Sequence, residues 1–85
     1  MAASYQAIQS WLEEAKATGA RWLIVVCDTY DYEDYPVAIK PDEDFWAKFA
    51  EFNGNNMQRV MEVYDLEMDL KSQLDEQNAF HTPAR

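Results

Sequence analysis

One cysteine, one histidine and two glycines are all that these 85 residues contain of three chemically versatile residue types, and each scarcity closes off a class of function. An internal disulfide needs a second cysteine, and a zinc site needs Cys and His in clustered spacing, so neither is expected. Gly19 and Gly54 are both placed to stop helices, which leaves none for a phosphate-cradling loop. A nucleophilic thiol needs a cation or histidine beside it, whereas Cys27 ends an apolar run and His81 lies far along the chain. Cys27 therefore reads as structural, and no enzymatic activity, cofactor or metal is expected.

Cations are scarce as well. Seven Lys and Arg stand against sixteen Asp and Glu, giving a net charge of −9, and such a surface repels nucleic acid and anionic membranes while attracting basic proteins. Direct nucleic-acid or membrane binding is not expected. There is no apolar run long enough to span a bilayer and no signal-peptide pattern at the N-terminus, so with its single cysteine the chain reads as a soluble cytoplasmic protein.

Apolar and aromatic residues, by contrast, are plentiful. Nearly half the residues (48%) are apolar and twelve are aromatic, on a chain short enough to bury only a modest fraction of its surface. Self-association is the expected remedy.

The patterning predicts one α+β domain over residues 1–85, of order αββαα. Residues 4–18 place Tyr5, Ile8, Leu12 and Ala15 on one helical face, with Ser4 as N-cap and Gly19 as left-handed stop. Residues 22–27 are continuously apolar, the signature of a strand covered on both faces. Residues 35–39 are its antiparallel hairpin partner. With 31–34 as the loop, Tyr30 faces Tyr35, and Trp22, Ile24, Val26 and Asp28 share a face with Tyr35, Val37 and Ile39. Pro36 confines the second strand to an edge or a strand start.

Pro41 and three carboxylates then precede Phe45, Trp46, Phe49 and Phe52 at helical spacing, with Asn53 and Gly54 as the stop. Capped by Asn55 or Asn56, a long C-terminal helix is expected over 57–77. Met57, Met61, Tyr64 and Met68 form one stripe of it, and Val63, Leu70 and Leu74 another, with Val60 between. An arc this broad needs two burying surfaces, so Val60, Met61, Val63, Tyr64, Leu70 and Leu74 are candidate oligomer-interface residues, with Glu67 and Lys71 spaced for an ion pair that sets register. Residues 77–85 lack periodicity and read as a flexible tail.

The stretch VVCDTYDYEDYPV, residues 25–37, is the most distinctive. It fits no calcium loop, because Tyr30 and Tyr32 occupy ligand positions and no glycine makes the turn. Paired carboxylates could serve a glycosidase, but so short a chain offers little cleft for a sugar. Between Asp28 and Asp44 seven carboxylates face the single Lys40, interleaved with tyrosines. Asp28, Tyr30, Asp31, Tyr32, Glu33, Asp34 and Tyr35 are accordingly the candidate partner-binding residues, suited to a basic protein surface. The alternative is a solvated tip whose acids only block edge-to-edge aggregation.

The run 22–37, with NGNNMQRVMEVYDLEMDL at 53–70, resembles a family of small uncharacterised bacteriophage proteins. The resemblance implies an accessory protein of the host-cell cytoplasm, of a kind that often inhibits host defence. Three functions are therefore open. The first is an anti-CRISPR or anti-restriction inhibitor with a nucleic-acid-mimicking acidic surface. The second is an oligomeric sponge for a nucleotide immune signal, using Trp22, Trp46 and Tyr30 for stacking and Arg21, Lys40 and Arg59 for phosphates. The third is a scaffold subunit docking through the 57–77 segment.

Overall fold

The structure, a computed structural model, describes residues 4–54, 57–76 and 79–83. Helix α1 (Tyr5–Ala17) is followed by strands β1 (Trp22–Asp28) and β2 (Glu33–Ile39), helix α2 (Phe45–Phe52), strand β3 (Gln58–Asp65) and helix α3 (Leu70–Asp75). The three strands form one antiparallel sheet in the order β2-β1-β3. It is an α+β fold in which the apolar run of β1 becomes the central strand.

That central position is what continuous hydrophobicity dictates. Leu23 and Val25 point into a core with Ile8, Leu12, Ala15, Tyr64, Leu66 and Ala79. Ile24 and Val26 point the other way, into a core with Ile39, Phe45, Val60 and Val63. Helices α1 and α3 cover the first face and α2 the second. Fully burying a side chain of this size contributes about 1.5–3 kcal/mol, so β1 anchors both layers.

Local chemistry sets the helix ends. Ser4 caps α1 by accepting from the Ala7 N–H at 3.1 Å, and Gly19 follows at φ +82°. Asp44 caps α2 by accepting from the Ala47 N–H at 3.2 Å. α2 then stacks its aromatics inward, with Phe45 5.3 Å from Trp22 and 5.0 Å from Trp46 between ring centroids.

The segment 57–77 is not one helix. Its first part is β3, and only Leu70–Asp75 is helical. The physical reason is a β-bulge: Val25 pairs with Glu62 while Val26 pairs with Val60, leaving Met61 as an extra residue. The bulge lets Val60 and Val63, three apart, reach the same core, while Tyr64 reaches the other. Spacings of three and four mimic a helix, although Val60, Val63 and Tyr64 are themselves strand-favouring types. Asn55 and Asn56, expected as caps, lie outside the described residues.

The candidate interface residues divide accordingly. Val60, Val63 and Tyr64 are buried inside the chain's own cores, Leu70 and Leu74 are half-buried against the α1 side, and Met61 is exposed. Met57 and Met68 are exposed too. Glu67 pairs with Arg21 at 2.8 Å rather than with Lys71.

Residues 79–81 are not a frayed tail either. The Val63 N–H donates to the Ala79 carbonyl at 2.8 Å and the His81 N–H donates to that of Val63 at 3.0 Å, a short parallel bridge on the outer side of β3. Ala79 is completely buried. No helix among the described residues is long and apolar enough to cross a membrane.

Candidate functional site

The hairpin turn has the expected length but lies two residues earlier than the sequence implies. Asp28 pairs with Glu33, so residues 29–32 make the loop and Tyr30 does not face Tyr35; the pairing is displaced by two residues on each strand from that of a 31–34 loop. An even displacement preserves the faces. Ile24, Val26 and Asp28 still share a side with Val37, Tyr35 and Glu33. Within the chain's own sheet β2 is an edge strand, where the missing N–H of Pro36 breaks no ladder bond to β1.

Two carboxylates of the motif build the turn themselves. The Asp28 side chain accepts from the Tyr30 N–H at 2.8 Å, and that of Asp31 accepts from the Glu33 N–H at 3.3 Å. Such Asx turns replace backbone hydrogen bonds where the chain reverses. The Tyr32 N–H donates to the Asp28 carbonyl at 2.7 Å, and Tyr32 takes φ +59°.

The tip is tied to the start of β3. Both the backbone N–H and the hydroxyl of Thr29 donate to the Met57 carbonyl, at 2.7 and 2.8 Å. Met57 also adopts a left-handed backbone, φ +60°. That conformation costs a non-glycine residue roughly 1–2 kcal/mol. Two large residues thus adopt it around the tip, and both are exposed: Tyr32 is 64% exposed and Met57 57%, with Tyr30 at 77%.

The seven candidate contact residues therefore separate into two groups. Tyr30, Asp31, Tyr32 and Glu33 present an exposed rim, and Met57 joins them from a segment distant in sequence. Asp28, Asp34 and Tyr35 are half-buried beneath it. The Tyr35 hydroxyl accepts from Gln58 Nε2, and its ring meets Phe52 edge-on at 6.4 Å. Burial, followed by the charge of Asp28, pushes its pKa up. Tyr35 is thus held in place from β3 and α2 while remaining half-buried.

On the opposite face Asp34, Cys27 and Arg59 lie in a row across the three strands. Burial pushes the Cys27 thiol up, and Asp34 adds to the shift. The thiol is held protonated, the reverse of what a nucleophile needs. His81 Nε2 lies 2.8 Å from Glu76 Oε2, engaged away from the thiol. No cluster of three or more His, Cys, Asp or Glu suited to a metal occurs among the described residues.

The residues of the nucleotide reading divide between the two ends of the sheet, Arg21, Trp22, Trp46 and Lys40 at one and Tyr30 and Arg59 at the other. Arg21 pairs with Asp65 and Glu67 and lies over the Trp22 ring at 4.5 Å. Trp22 and Trp46 pack on the α2-side core. Arg59 stands at the tip end of the sheet, opposite Cys27, while Lys40 follows Ile39 at the other end.

What the tip arrangement can do is bind. It offers two tyrosines and a methionine as contact area, carboxylates as partners for guanidinium or ammonium groups, and a backbone fixed by its own hydrogen bonds. Comparison with protein-family models, with characterised proteins and with solved structures returned no match to this chain.

Proposed function

We propose that this is a non-catalytic inhibitor that binds a basic protein surface through the β1–β2 tip, with Tyr30, Tyr32 and Met57 as anchors and Asp31 and Glu33 as charge partners. The observation that carries this reading is the pair of large residues in left-handed backbone. The left-handed backbone closes the turn at Tyr32 and ties the tip at Met57, work that glycine would do without strain, so the large exposed side chains kept at both positions are surface for a bound partner. A solubilising tip would need only the carboxylates.

The charge defines the target class. With a net charge of −9, the protein is drawn to arginine- and lysine-lined surfaces, the class to which nucleic-acid channels belong. Together with the resemblance to small phage proteins, this favours an anti-CRISPR or anti-restriction type of inhibitor acting in the host cytoplasm. The sponge reading has less support, because Arg21 is already paired with Asp65 and Glu67 and the rings of Trp22 and Trp46 are packed against the core.

Native mass spectrometry after incubation with host extract tests the proposal. Capture of a basic protein is expected, weakened by salt and lost in the Asp31→Asn/Glu33→Gln variant, which keeps the acceptors of the turn but removes their charge. Capture unchanged in that variant would sink the reading, and added mass of a few hundred daltons would favour the sponge.

A further inference from the structure

The two edges of the sheet are treated differently. Residues 79–81 lie along the outer side of β3, whereas no strand or bridge lies on the outer side of β2 among the described residues. The faces of β2 are also thinly covered. α2 lies mainly over β1 and β3. On the opposite face a groove of about 220 Å³ runs between α1 and β2, lined by Trp11, Glu14, Thr18, Pro36 and Ala38 among others. Tyr35, Pro36 and Val37 are half-buried and Ala38 is exposed.

We propose that β2 pairs antiparallel with β2 of a second copy, with Val37 on the two-fold axis, making one continuous six-stranded sheet. A two-fold axis between adjacent antiparallel strands keeps each face on its own side, so residues directly opposite must have the same parity. That leaves three central registers, and charge separates them. With the axis at Val37, Asp34 stands opposite Lys40 of the second copy, twice over, while Tyr35 meets Ile39 and Pro36 meets the small Ala38. With the axis at Pro36, Glu33 is set against Ile39. With the axis at Ala38, only Val37 and Ile39 face each other within β2, which ends at Ile39, and Asp34 falls past the end of the partner strand with no cation opposite it.

Lys40 forms no ion pair within its own chain among the described residues. Pro36 withholds one donor per strand, so the ladder is short and the charge pairs decide the register. The proposal does not rest on what the hairpin tip binds, and its test leaves Tyr30, Asp31, Tyr32 and Glu33 untouched.

Light scattering across a concentration series, with charge-swapped variants, provides the test. The wild type is expected to reach twice its 9.9 kDa mass. Asp34→Lys and Lys40→Asp, each placing like charges opposite one another, should both give monomers, and the double variant should recover the dimer. A monomeric wild type at every concentration, or single variants as dimeric as the wild type, overturns the proposal. Should a swap disturb folding, Val37→Cys in a Cys27→Ser background decides. On the axis it is expected to link to its symmetry mate under oxidised glutathione, while Ala38→Cys, facing Pro36, does not. Equal linking of the two, or none with Val37→Cys, refutes the register.

Discussion

The two ends of the sheet handle negative charge in opposite ways. At the end where Trp22 pairs with Asp65, carboxylates are neutralised. Arg21 holds Asp65 and Glu67, and Gln73, 1% exposed, accepts from the Asp65 N–H at 2.7 Å while donating to the Asp65 carbonyl at 2.8 Å. At the tip end, where Asp28 pairs with Glu33, Asp28 and Asp31 receive backbone N–H groups from their own turn, and Asp31 and Glu33 stand in solvent. One end uses charge to close the structure and the other displays it. The excess acid is thus not a uniform coat.

Substitutions at the closed end should break this contrast most severely. Gln73→Ala leaves the Asp65 backbone groups unsatisfied in a buried place and should cost about 2–3 kcal/mol in urea unfolding. Arg21→Ala, which strips the partner from a mostly buried Asp65, should cost about 1–3 kcal/mol by the same measurement.

At the tip the sign reverses. Tyr32→Gly relieves the left-handed strain and should raise stability by about 0.5–1 kcal/mol while weakening target capture. A variant that is more stable yet captures its target as well as the wild type would remove the case for functional strain.

Tyr64 gives the closed end a pH signature. Burial first, and the Glu62 carboxylate that accepts from its hydroxyl second, raise its pKa above the usual 10.0. The unfolded chain then releases this proton at lower pH than the folded one, so the contribution is complete below pH 10 and is lost as the pH rises beyond it. In alkaline melts Tyr64→Phe should show a shallower loss of stability than the wild type. The smallest effect is expected from Asp31→Asn/Glu33→Gln, within about 0.5 kcal/mol by thermal melt, as for exposed charges remote from any core.

Much of this was legible in the sequence, and the exceptions have physical causes. α1, β1 and α2 follow from helical spacing, caps and a doubly buried apolar run. β3 escaped because the bulge at Met61 breaks its alternation. The arc that called for two burying surfaces, on Val60, Val63 and Tyr64, is the two covered faces of a single strand rather than an oligomer seam. Of the proposed tip residues, Tyr30, Asp31, Tyr32 and Glu33 were named from composition, but Met57 was not. Its place beside the tip depends on the pairing of β1 with β3, and no local pattern encodes that long-range contact.

The bulge also works like a frameshift carried within the strand. A residue inserted or lost in β1 would exchange its inner and outer faces with nothing downstream to correct them. In β3 the sequence already counts one residue out of phase, and the fold absorbs it at Met61. Of the three strands, this is the one where a change in length has a structural precedent, so variation in length is better tolerated near Met61 than anywhere in the central strand.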